Sequence, residues 1–235
     1  MMKILNIAHR GFSGIYPENT MLAFEKAVEA GADGIETDVH VTKDGTIVIC
    51  HDEKLDRTTN GTGFIKDCSY RELSKLDAGL GEKIPTLVQL LDYIRNKNII
   101  LNIELKNNVI DYRNFEIKVI DEVYKYKLQD RVILSSFNHN SMKKVKVYDK
   151  RIKTGLLYGL PIHEPQKYAK KMGADALHPL FSLVMDENMV NIIKKEHVLI
   201  NSYTVNEKKH MIKMIELGMD GIITNYPDIL AKILK

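Results

Sequence analysis

Cysteine is scarce in this chain, with two residues, Cys50 and Cys68, among 235. They can form one disulfide at most. A disulfide-stapled secreted scaffold is therefore excluded, and a reduced, cytoplasmic protein is expected. No apolar run approaches the ~20 residues of a membrane span, which argues against stable membrane insertion. The opening Met1-Met2-Lys3-Ile4-Leu5-Asn6-Ile7-Ala8-His9-Arg10 has a short apolar run and no small-residue cleavage site, and it reads as a first strand rather than a signal peptide. Charge of one sign is also lacking, since 34 Lys and Arg face 31 Asp and Glu, leaving +3. The densest basic stretch, Lys143-Lys144-Val145-Lys146, fits a solvated helix face, so nucleic acid is not an expected partner.

What is present is ordinary for a globular protein, with 44% hydrophobic and 28% charged residues. A chain of this length suits one large domain, because α/β barrels routinely use roughly 200–250 residues. It can bury roughly 70–75% of the surface that the unfolded chain exposes.

Short apolar runs alternate with helical periods almost from end to end. Candidate strands fall at 4–8, 34–41, 46–50, 99–105, 132–137, 154–158, 176–178, 198–204 and 221–224. Several are apolar on both faces, as buried parallel strands are. Amphipathic stretches fall at 20–30, 87–96, 115–126, 141–148, 165–172, 187–196, 207–217 and 227–234. Gly31-Ala32-Asp33, Gly173-Ala174-Asp175 and Gly218-Met219-Asp220 each follow a helical stretch and precede a strand. The glycine suits a left-handed helix C-cap. This repeated joint, about eight strand–helix units in all, predicts a closed TIM (β/α)8 barrel. An open doubly wound sheet is the alternative, but no GxGxxG follows the first strand. One stretch, 53–83, breaks the rhythm and is expected to be an insertion on a single domain spanning 1–235. It carries the turn signal Asn60-Gly61-Thr62-Gly63 and a capping box, Ser69 with Glu72, for a short helix.

In a barrel, polar groups at the C-terminal ends of strands are site candidates. Glu36 and Asp38 are two apart and share one strand face. Glu104 and Lys106 repeat that spacing at another strand end. Three buried carboxylates need neutralising, and all-oxygen ligation suits Ca²⁺ or Mg²⁺. Solvated ion pairs are the competing reading of the same residues. Arg10 and Lys106 would add positive charge for a phosphate. His9 ends the first strand and His51 ends the 46–50 strand, and histidine is the usual general acid or base near neutral pH. Two histidines beside a cation fit acid–base cleavage of a phosphoester. His40, His139, His163, His197 and His210 read as ordinary surface or core residues, and His178, followed by Pro179 after a strand, is a further candidate to line the same mouth.

His9-Arg10-Gly11, Pro17-Glu18-Asn19-Thr20, Glu36-Thr37-Asp38-Val39, His51-Asp52, Ile84-Pro85-Thr86-Leu87, Ile103-Glu104-Leu105-Lys106, Ser135-Ser136-Phe137 and Gly221-Ile222-Ile223-Thr224-Asn225-Tyr226-Pro227-Asp228 occur in this order. Together they resemble the glycerophosphodiester phosphodiesterase family over essentially the whole chain. That resemblance implies a TIM barrel with a small insertion after the second histidine, where 53–83 lies. It implies that a divalent cation, Ca²⁺ or Mg²⁺, is held by Glu36, Asp38 and Glu104, with His9 and His51 as the acid/base pair. Arg10 and Lys106 would bind phosphate. Glu18 and Asn19 would orient His9 or the metal shell, or else serve the loop, with Thr20 as the helix N-cap.

The family often has a tryptophan in its strand-seven motif, whereas this chain has none, and Tyr203 stands in the matching place. Tyr203 and Phe137 would then offer apolar walls to the glycerol carbons. The implied reaction is metal-dependent hydrolysis of a glycerophosphodiester to sn-glycerol 3-phosphate and an alcohol. The partner is then a small-molecule substrate, and a homo-oligomer is compatible with the sequence. Which histidine is acid, and whether the nucleophile is water or a neighbouring glycerol hydroxyl, stay open at this level. A sensor that binds without turnover is the rival, and it would not need both histidines.

Overall fold

Apolar residues two apart on consecutive strands determine the architecture. The computed structural model describes residues 3–235, and Met1 and Met2 of the N-terminal stretch lie outside the described residues. The strands are β1 (Leu5–His9), β2 (Gly34–Val41), β3 (Ile47–Ile49), β4 (Ile100–Leu105), β5 (Val132–Ser136), β6 (Lys153–Tyr158), β7 (Ala176–Pro179), β8 (Leu199–Ser202) and β9 (Gly221–Thr224). The helices are α1 (Met21–Glu29), α2 (Tyr70–Leu73), α3 (Leu87–Ile94), α4 (Phe115–Lys125), α5 (His139–Tyr148), α6 (Pro165–Met172), α7 (Glu187–Lys195), α8 (Lys208–Glu216) and α9 (Pro227–Ile233).

All strands but β3 pair in parallel in the order β1-β9-β8-β7-β6-β5-β4-β2, and β1 pairs with β2 to close the barrel. The outward side chains Ile35, Val39, Leu101, Ile103, Leu105, Leu134, Leu156, Leu177, Ile200 and Ile222 are fully buried against the helices. Each such aliphatic side chain contributes roughly 1.5–3 kcal/mol of burial. The inward positions of the same strands carry Glu36, Asp38, Asn102, Glu104, Ser135, His178 and Asn201, all buried. Polar groups inside and apolar groups outside are the two faces of one period-two pattern. His178 does not reach the mouth. It lies in the barrel interior, 3.0 Å from the Asn201 amide, where Gly155 leaves room for its ring: a Cβ there would stand 2.4 Å from Nε2.

The helix ends follow the sequence signals. Thr20 Oγ accepts from the Ala23 N–H at 3.2 Å and caps α1. The Ser69–Glu72 capping box starts α2. Gly31, Gly173 and Gly218 all have positive φ at the αβ joints.

One strand departs from expectation. The 46–50 run is not a barrel strand, because β3 pairs antiparallel with β2, with Val39 opposite Ile49. The Lys43-Asp44-Gly45 turn, with Gly45 at φ 84°, folds the chain back. The chain therefore leaves the barrel at the top of β2 and returns toward its mouth, where the Cys50 N–H donates to the Asp38 carbonyl at 3.0 Å. Val48, Cys50, Leu55, Ile65, Leu73 and Ile84 form a small apolar cluster separate from the main core. Among the described residues, no helix is long and apolar enough to cross a membrane.

Candidate active site

The parallel register of the first strands brings the candidate residues together. His9 on β1 is level with Glu36 on β2, and Asp38 is level with Glu104 on β4. The carboxylate oxygens of Glu36, Asp38 and Glu104 all lie within 4.8 Å of one another, and all three residues are buried. Their environments pull them apart. Burial, with Asp38 and Glu104 nearby, pushes Glu36 well above the usual carboxylate range. Burial and the Asp38 charge push Glu104 up to about 7. Burial would raise Asp38 as well, but Lys106 and Arg10 outweigh it and hold Asp38 down to about 2.

The two cations thus lower Asp38 most, and with Lys106 shared between Asp38 and Glu104 the three carboxylates still outnumber them. Lys106 Nζ donates to Glu104 Oε1 at 2.8 Å and stands 3.7 Å from Asp38 Oδ1. Arg10 Nε is 3.4 Å from Asp38 Oδ2. Asp38 Oδ1 is buried without a hydrogen-bond partner. Three convergent hard oxygens, one of them orphaned, fit a divalent cation of the Ca²⁺ or Mg²⁺ type.

A cavity of about 140 Å³ opens over this cluster. His9, Arg10, Glu36, His51 and Glu104 line it, with Phe137 and Tyr203 among its other walls. Asp38 and Lys106 are not among the lining residues and stand behind it. The Phe137 and Tyr203 rings meet edge to face at 6.1 Å, and the Tyr203 hydroxyl donates to the Tyr158 carbonyl at 3.2 Å.

Both imidazoles are oriented by neighbours. His9 Nδ1 contacts Asn225 Oδ1 at 2.7 Å. An amide oxygen only accepts, so Nδ1 carries the proton and Nε2, 3.9 Å from Glu36, is left with its lone pair. Burial, aided by Arg10, lowers the His9 pKa to about 4, so the ring is neutral at pH 7. His51 Nδ1 donates to Asp52 Oδ1 at 2.5 Å. His51 reaches the cavity because β3 runs back along β2, not because it ends a barrel strand. Its carbonyl is 3.2 Å from Nε2 of His40, which is buried and also bonded to the Tyr112 hydroxyl.

The Pro17-Glu18-Asn19-Thr20 loop splits its duties. Asn19 donates to Asp38 Oδ2 at 3.0 Å and accepts from Thr37, so it contacts the acidic cluster. Glu18 accepts from Arg10 at 2.9 Å and does not contact His9. Arg57, Asp52, Asn225 and Asn206 complete the surroundings, and sequence reasoning gave them no role. Asp52 and Asn225 lay inside quoted motifs, but Arg57 is in the insertion, where no spacing rule points to it.

The glycerophosphoryl diester phosphodiesterase family model matches residues 9–229. The chain belongs to that family. Membership makes it an enzyme, a phosphoric diester hydrolase of the glycerophosphodiester phosphodiesterase class. A glycerophosphodiester phosphodiesterase of Caldanaerobacter subterraneus is 45% identical, with 100% of this chain and 99% of that one covered. One from Bacillus altitudinis is 40% identical, with 96% of each covered. Among solved structures, an Oleispira antarctica phosphodiesterase in complex with the product sn-glycerol-3-phosphate superposes with a TM-score of 0.85 at 30% identity, covering 96% of this chain and 94% of that one. A glycerophosphodiester phosphodiesterase of Parabacteroides distasonis gives 0.86 at 31% identity, with 98% of each chain covered. Every phosphodiesterase site candidate, from His9 to Tyr203, lies within the span matched by the family model.

Proposed function

We propose that the enzyme hydrolyses glycerophosphodiesters to sn-glycerol 3-phosphate and an alcohol, using a divalent cation and the histidine pair His9 and His51. The observation that carries this reading is one cavity lined by two imidazoles and by Glu36 and Glu104, whose carboxylates cluster with that of the buried Asp38 behind them. Glu36, Asp38 and Glu104 would hold the cation, Ca²⁺ or Mg²⁺. When bound, such a cation supplies Lewis-acid charge neutralisation to a phosphate oxygen. Arg10, which lines the cavity, pairs with a further phosphate oxygen. Lys106, already bonded to Glu104, adds positive charge from behind. Phe137 and Tyr203 wall the carbon skeleton of the substrate.

His9 is neutral and has its Nε2 lone pair free, so it accepts the proton of the attacking oxygen. The new P–O bond forms as the P–O bond to the alcohol breaks. His51, its ring held through Nδ1 by Asp52, delivers a proton to the departing alkoxide from its other nitrogen. General acid–base help of this kind is worth roughly 10²–10⁴-fold. The insertion, 53–83, begins beside His51 and would wall the leaving-group side. The test is a panel of glycerophosphodiesters with added Ca²⁺ or Mg²⁺, assayed for glycerol 3-phosphate, with His9→Ala and His51→Ala alongside. Each variant should lose at least ~10²-fold in kcat. Full rates in either variant would remove that histidine from the mechanism, and no release from any substrate would favour a binding protein.

A further inference from the structure

Arg57 lies on the insertion between two anchored residues. Leu55 is buried in the small apolar cluster that the insertion forms with Val48, Cys50 and Ile84, and the Thr58 hydroxyl contacts Cys50. The arginine side chain is 46% exposed. It nevertheless places its donors on two carboxylates from different parts of the chain. Nε and Nη2 reach Asp52 at 2.7 and 3.0 Å, and Nη1 and Nη2 reach Glu18 at 2.9 and 2.8 Å. Each carboxylate has one further partner in the site. Asp52 holds His51 Nδ1 at 2.5 Å, and Glu18 holds Arg10 Nη1 at 2.9 Å.

Isolated exposed ion pairs contribute little to stability, and a bidentate network contributes more, but stability alone does not account for both of its carboxylates being the ones that hold His51 and Arg10. A rigid planar fork can hold two carboxylates bidentately at once, whereas a lysine ammonium offers each only a point charge. We propose that Arg57 is a positioning residue for the hydrolysis, a guanidinium bridge that holds Asp52 against His51 and Glu18 against Arg10. The insertion is thereby tied to the chemical step through one arm and to phosphate binding through the other. This rests on the two-histidine reading given above. Both carboxylates sit below their ordinary pKa in this arrangement, chiefly through the Arg57 hydrogen bonds once burial is overcome at Glu18, so both stay ionised acceptors.

The test compares kcat and KM for Arg57→Met, Arg57→Lys, Asp52→Asn, Glu18→Gln and the double variants Arg57→Met/Asp52→Asn and Arg57→Met/Glu18→Gln, with His51→Ala in the same assay. Arg57→Met should keep its melting temperature and lose about tenfold or more in kcat/KM, shared between a lower kcat and a higher KM. Arg57→Lys should fold and be impaired in both parameters. On the Asp52→Asn background, Arg57→Met should cost little further kcat; on Glu18→Gln it should add little to KM. Arg57→Met within twofold of wild type, or fully additive doubles, would overturn the bridge while an inactive His51→Ala left the histidine mechanism standing. A fully active His51→Ala would instead fault the mechanism itself.

Discussion

Replacing Glu104 with glutamine should stabilise the cation-free protein at pH 8. Glu104 is buried beside Asp38, and its pKa stands at about 7 against an ordinary 4.5. A carboxyl group whose folded pKa is raised takes up protons on folding. Its ionisation therefore weakens the fold progressively from about pH 4.5 to pH 7 and by a constant amount above that. The difference corresponds to about 3 kcal/mol. Glutamine keeps an oxygen to accept from Lys106 Nζ, now at 2.8 Å, and removes the charge. It also relieves Glu36, which is raised in part by Glu104. For a chain of this size about 3 kcal/mol is roughly 6–12 °C in Tm.

Thermal melts of wild type and Glu104→Gln in chelator should differ by that amount at pH 8 and by about 1 kcal/mol or less at pH 5. With saturating Ca²⁺ or Mg²⁺ the order should reverse, because the wild type gains a ligand that the variant binds poorly. A variant equal to or less stable than wild type in chelator at pH 8 would refute the reasoning, since Lys106 and Arg10 would then already balance the cluster.

His178 predicts acid sensitivity of a different origin. Burial lowers its pKa from 6.5 to about 3, so its contribution is intact above pH 6.5 and is lost at up to about 1.4 kcal/mol per pH unit as pH falls toward 3. Urea unfolding of His178→Gln from pH 6 to 4 should show a pH slope shallower by about that amount, and an unchanged slope would contradict it. Replacing Lys54–Glu82 with a short Gly/Ser linker should leave a cooperatively melting barrel, because Leu55, Ile65 and Leu73 pack in a small cluster with Val48, Cys50 and Ile84, separate from the main core. Turnover should fall or shift among alcohol groups, as read on the substrate panel. Unchanged rates and preference would remove the insertion from substrate gating.

The fold was legible where local chemistry and global architecture agree. Period-two alternation such as Leu101–Leu105 on β4, and the Gly-x-Asp joints after α1, α6 and α8, announce strands and helix ends without tertiary information. The direction of β3 was not legible from its apolar run, because Ile47, Val48 and Ile49 are buried and read like a barrel strand. The Asp44-Gly45 pair before it was the available signal for a hairpin. Period-two spacing placed Glu36 with Asp38 and Glu104 with Lys106, but the pairing of β2 with β4 that joins them is a long-range contact no spacing contains. Asn225 beside His9 and Arg57 beside Asp52 are separated from their partners by chain closure and by a loop, so neither followed from sequence.

Chelation bears most directly on the mechanism. The enzyme should be stripped of divalent ions, assayed for glycerol 3-phosphate release at pH 7–8, and then titrated with Ca²⁺ or Mg²⁺, with Glu36→Gln in parallel. Turnover should vanish on stripping and return on titration, and Glu36→Gln should need more metal to recover. Full turnover in extensively chelated wild-type enzyme would contradict a metal role for Glu36, Asp38 and Glu104.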